Sequence, residues 1–126
     1  MADPGSVTEF TVEEANALLP LLRASLERLR SARRTVLAGS QRLSAAAAAD
    51  GGGAAGREVW EALSALRREL ETITRAGVVL RDAESGLVDF PSRRDGRPVF
   101  LCWRLGEDRV GYWHDPESGF ASRRPL

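Results

Sequence analysis

Apolar residues recur at Ala15, Leu19, Leu22, Leu26, Leu29, Val36 and Leu43. Gaps of three, four and seven place them along one face of a helix, with Arg33 and Ser40 as the interruptions. "FTVEEANALLPLL" opens this stretch with a capping box, in which Thr11 and Glu14 satisfy each other's backbone N–H groups. The pattern predicts a long first helix over 12–49, kinked at Pro20, whose ring removes a backbone donor beyond the first turn. "SAAAAADGGGAAG" follows, and its glycines make 50–56 a joint. Val59, Leu63, Leu66, Leu70 and Ile73 then mark a second helix over 57–76, which Gly77 ends as a C′ glycine. The two stripes are expected to face each other as an antiparallel hairpin.

Beyond Gly77 the period becomes strand-like. "VVLRD" and "LVDFP" flank the turn "AESG", "RPVFLCWR" and "RVGYWHD" flank "LGED", and Asp95-Gly96 supplies a tight turn between the pairs. The expected fold is α+β: a long antiparallel helical hairpin, then a small four-stranded antiparallel β-meander over 78–115. A C-terminal tail over 116–126 turns at "DPESG" and is anchored by Phe120. A first helix of about 50 Å against about 30 Å for the second leaves part of its stripe uncovered. Homodimerisation through the hairpin would cover it.

Residues 100–115 hold the chain's only cysteine, histidine and tyrosine and two of its three tryptophans. With a two- or four-residue loop at "LGED", Cys102 pairs with Gly111 and Phe100 with Trp113. Cys102 and His114 then point to opposite faces, which, unless a bulge intervenes, denies both a Cys–His dyad and shared zinc ligation. Cys102 packs as a small hydrophobe in this reading. Trp103 and Trp113 are explained by burial alone, at roughly 4–6 kcal/mol each as an upper estimate.

The chain is 126 residues long with zero formal net charge, which fits one domain and gives no global attraction to nucleic acid or an anionic membrane. All eighteen basic residues are arginine, so lysine-based Schiff-base chemistry and a GxxxxGK[ST] phosphate loop are excluded. A single cysteine makes no internal disulfide, and no Cys/His spacing or calcium-loop pattern indicates a metal. GxGxxG, HExxH and GxSxG are also absent. "MADPGSVTEF" has no apolar leader core, and no run reaches membrane-span length. The expected location is the cytoplasm. Six arginines and one glutamate between residues 23 and 42 are read as a solvated helix face rather than an RNA site.

The informative residues are polar groups beside the aromatic strands, because an unpartnered buried polar group costs roughly 2–7 kcal/mol. Asp89 in "LVDFP" calls for an arginine, with Arg81 and Arg97 as candidates. His114 and Asp115, with Glu107, are the candidate polar groups of a pocket walled by Trp103 and Tyr112.

"FTVEEANALLP", "GLVDFPSRRDGRPVFLCWRLGE" and "WHDPESGFASRRPL" resemble the small prokaryotic proteins filed as the domain of unknown function 2203 family. The resemblance spans most of the chain apart from the Ala/Gly joint, and it implies no established activity or cofactor. If the family shares a site, the matching positions are Asp89, Cys102, Trp103, Glu107, Trp113, His114 and Arg123. Two functions lead, with RNA binding through the helix-one arginines as a weaker third. One is a non-catalytic adaptor that dimerises through the hairpin and binds a protein partner. The other is a small-molecule or metal-binding protein, possibly enzymatic, with a ligand site drawn from Asp89, Arg97, Trp103, Glu107, Trp113, His114, Asp115 and Arg123.

Overall fold

The computed structural model describes residues 8–49 and 53–126, with side chains left aside for 43–55. Thr11 and Glu14 form the expected capping box, with bonds of 2.9 and 3.1 Å. The helix they start, α1 (Val12–Ala17), is short. The chain breaks at Leu18 and resumes as α2 (Leu19–Ala49). Pro20 therefore sits in the first turn of a new helix, where its missing N–H is tolerated, rather than kinking the middle of one. The Leu18 N–H bonds to Ala15 O at 3.1 Å and closes the break.

The third helix, α3, runs from Gly53 to Arg75, so it takes up four residues assigned above to the joint. The remainder of that joint, 50–52, lies outside the described residues. Ala15, Leu19, Leu22, Leu26 and Leu29 are buried as the stripe required, and Ala32 and Gly39 continue it. At Gly39 the helices cross so closely that an added Cβ would come within 2.5 Å of Val59 Cγ2. On α3 the buried face is Val59, Ala62, Glu69 and Ile73, while Leu63 and Leu70 are exposed on its flank. Glu69 is buried because it is satisfied. Arg28 donates to it at 2.9 and 3.2 Å and the Ser25 hydroxyl at 2.9 Å.

Five strands form one antiparallel meander: β1 (Val79–Asp82), β2 (Leu87–Arg94), β3 (Arg97–Arg104), β4 (Tyr112–His114) and β5 (Arg124–Pro125). The expected four gain β5 because the tail returns to pair with β4, Tyr112 opposite Pro125. Asp95 (φ 54°) and Gly96 (φ 78°) make the tight turn that pairs Arg94 with Arg97. One sheet face turns Val88, Phe90, Val99, Leu101, Trp103 and Trp113 into a core shared with Leu19, Leu22, Leu26 and Ile73. The other face carries Asp89, Phe100, Cys102, Tyr112 and His114.

The α2 arginines tie the helices to the sheet's loops. Arg23 donates to Asp108 O at 2.7 Å, Arg30 to Glu84 O at 2.8 Å, and Arg33 and Arg34 both pair with Glu84. The face expected to be solvated is thus largely committed within the chain.

Leu21 and Leu22 offer a direct test of which helical face is buried, being 47 % and 0 % exposed. Leu22→Ala is expected to lower unfolding free energy by about 2–5 kcal/mol in urea titrations, and Leu21→Ala by less than about 0.5 kcal/mol.

Candidate functional site

The site is set by the connection between β3 and β4. Cys102 pairs with Tyr112, Leu101 with Trp113 and Phe100 with His114. The ladder therefore stands one residue away from the pairing expected for a two- or four-residue loop, and β4 is turned over. The reason is local hydrogen bonding. Glu107 N–H returns to Arg104 O at 3.0 Å, Glu107 Oε1 accepts the Arg104 N–H at 2.8 Å, and Trp103 Nε1 donates to Glu107 O at 3.1 Å. Val110 N–H leaves the ladder altogether for Asn16 Oδ1 at 2.8 Å. Residues 103–111 form an irregular, odd-numbered connection, so His114 and Cys102 share a face, contrary to the opposite-face expectation.

On that face Asp89 lies opposite Cys102 on β2. One ligand atom from each of Asp89, Cys102 and His114 lies within 4.8 Å of the others, and all three residues are buried. His114 Nδ1 stands 2.8 Å from the Asp115 carbonyl, which can only accept, so Nδ1 carries a proton. Nε2 then points into the cluster, 3.0 Å from each oxygen of the Asp89 carboxylate. Arg81 Nε donates to Asp89 Oδ2 at 2.8 Å, which resolves the choice between Arg81 and Arg97. The tail covers the group, and a cavity of about 280 Å³ is left between Arg81, Asp89, Cys102, His114, Ser118 and Phe120. A larger apolar trough of about 680 Å³ along Val79, Pro91, Pro98 and Phe100 adjoins it at Pro116.

Burial pushes the Cys102 thiol up to about 11; the Asp89 carboxylate adds to this, and Arg123 pulls only part of the way back. The sulfur faces a carboxylate and a guanidinium, while both imidazole nitrogens are engaged elsewhere. A Cys–His–Asp nucleophile needs imidazole between thiol and acid, and that order is absent here.

The remaining sequence candidates fall into separate places. Glu107 meets Arg123 in a two-bond ion pair at 3.0 and 2.8 Å, and it reaches the cluster only through that arginine. Arg123 also stacks 3.9 Å from the Tyr112 ring centre and 4.2 Å from Phe120. Asp115 contributes its backbone carbonyl to His114. Trp103 and Trp113 face the core, so Trp103 is not a wall of this pocket, and Arg97 is exposed at the β2–β3 turn. Sequence reasoning passed over Cys102 as a partner of His114, along with Ser118 and Phe120. The odd parity of the loop was the missing information.

Taken together, an α-helical hairpin packed on one face of a five-stranded meander, with a polar cluster under the tail on the other, defines a small α+β protein. The chain belongs to the family described as "Uncharacterized conserved protein (DUF2203)", whose model matches residues 9–126. No curated protein and no solved structure matches it. Among the described residues no helix is long and apolar enough to cross a membrane.

Burial opposes ionisation of Glu107, but the hydrogen bonds from Arg123 and the Arg104 N–H outweigh it and hold the carboxyl below its usual value. Its contribution to stability is therefore complete above the ordinary glutamate range and lost as pH falls through the lowered value. Glu107→Gln is expected to cost about 1.5–3 kcal/mol near pH 7. Its unfolding free energy should fall less steeply between pH 5 and pH 3 than the parent's, as followed by tryptophan fluorescence in urea.

Proposed function

We propose that this protein binds a small polar ligand on the outer face of its sheet, in the cavity floored by Asp89, Cys102 and His114. One observation carries the reading. Three buried polar side chains from three different strands converge on a hollow, with the Arg81 guanidinium at its edge. At about 280 Å³ the space lies just under the range of drug-sized pockets, so the occupant is an ion or a molecule of few atoms. Binding rather than thiol catalysis is favoured by the protonated, buried sulfur. The single free cysteine supports a reducing, cytoplasmic location.

Native and denaturing mass spectra of the same purified sample test this reading. Excess mass in the native spectrum that disappears on denaturation, and that a folded His114→Ala variant lacks, is the expected result. A native mass equal to the sequence mass speaks against it.

A second reading, homodimerisation of the hairpin as an adaptor, is supported by a different observation. Trp60, Leu63 and Leu70 line one flank of α3 at 70, 42 and 39 % exposure. The support no longer comes from unequal helix length, because α3 covers the α2 stripe as far as Gly39. Light scattering at micromolar concentration is expected to give a dimer mass, and Trp60→Glu with Leu63→Glu a monomer mass. A monomeric parent protein removes this reading.

A further inference from the structure

We propose that Asp89, Cys102 and His114 form the three-residue holder of a divalent metal ion of the zinc class, leaving a fourth coordination position open to a small anion beside Arg81. This rests on the ligand-binding reading of the pocket and names what the pocket takes.

The donor set is one carboxylate oxygen, one sulfur and one imidazole nitrogen. Calcium and magnesium take oxygen ligands, and copper(I) favours sulfur, whereas a mixed O/S/N set suits zinc and its neighbours. Around tetrahedral zinc such atoms stand roughly 3.3–3.7 Å apart. Here Nε2 and the carboxylate oxygens are 3.0 Å apart and every pair lies within 4.8 Å, so small side-chain rotations reach that geometry.

The orientation of each donor is already fixed from outside. Nδ1–H donates to the Asp115 carbonyl, which fixes the ring with Nε2 aimed inward at Asp89. Arg81 occupies Asp89 Oδ2, and Oδ1 remains for the ion. Arg123 stands close enough to the Cys102 sulfur to draw the thiol's pKa part of the way down, a favourable neighbour for a bound thiolate. Nε2 stands 3.0 Å from each Asp89 oxygen, a contact that needs a positive centre between them: a proton on Nε2, or a metal ion in its place.

On binding, the Cys102 thiol proton and the proton held between Nε2 and Asp89 are released to water, and the sulfur, Nε2 and Oδ1 donate lone pairs to the metal. The ion's two positive charges balance the thiolate and Asp89. Glu107 balances Arg123, and the charge on Arg81 is left over. That surplus, together with cavity space beside Ser118 and Phe120, favours an anion at the fourth position.

The test uses the full chain, stripped with a chelator and titrated with Co2+ as a spectroscopic probe. One equivalent per chain is expected to produce the near-ultraviolet thiolate-to-cobalt charge-transfer band and the intense visible bands of tetrahedral cobalt. Zn2+ should bleach both. Cys102→Ser should erase the charge-transfer band, and His114→Ala should weaken Co2+ binding by more than the roughly 10–100-fold that loss of an outer partner costs. A parent titration without that band overturns the metal assignment, whether or not the variants fold. So does a band that survives Cys102→Ser. An organic excess mass without cobalt binding would leave the pocket reading standing and overturn only the metal, whereas absence of both overturns the two together.

Discussion

Glu107 sits at the point on which the sheet's outer face depends. Its carboxylate accepts from the Arg104 N–H and from Arg123, and its carbonyl accepts from the Trp103 indole. Those bonds hold the β3–β4 connection in a compact form that spends an odd number of residues. The parity follows the side chain alternation of strands, so one extra residue in the loop decides which face of β4 looks outward. With Glu107 in place, Trp113 goes to the core and His114 to the outer face. The opposite parity would bury His114 among Val99, Leu101 and Trp103 and expose Trp113, a loss on both counts.

The helical side supports this arrangement from beneath. Asn16, near the end of α1, supplies the acceptor for the Val110 N–H, and Arg23 reaches Asp108 from α2. A side-chain amide on α1, an arginine on α2 and an irregular loop thus form one connected device. The outer face is closed by the tail: β5 pairs with β4, and Phe120 lies against the Arg104 and Arg123 guanidinium groups.

Much of the fold is legible in the sequence because its signals are local. The Thr11/Glu14 box, the Leu19–Leu22–Leu26–Leu29 stripe, the Asp95-Gly96 turn and the end of α3 at Gly77 each depend on residues a few positions apart. What escaped depends on contacts across the chain. Leu63 and Leu70 look like stripe members, but the buried side of α3 is set by Ala62 and Glu69, and Glu69 is acceptable inside only because Arg28 and Ser25 reach it from α2. The partnership of Asp89 with Arg81 was readable from hairpin proximity. That of Asp89 with Cys102 and His114 was not, since it hangs on loop parity that "LGEDRVG" does not announce.

Apart from His114, every basic side chain in the sequence is a guanidinium, and among the described residues six of them lie over aromatic rings, including Arg81 on Phe100 at 5.0 Å and Arg94 and Arg124 on Trp113 at 4.8 and 5.3 Å. Such stacks have a planar, weakly hydrated cation and no proton to lose over the range in which proteins live. The acidic partners switch with pH; the basic ones do not. Alkaline media therefore leave the guanidinium clamps charged, and the Cys102 thiol, pushed up to about 11, is the group that gives up a proton there.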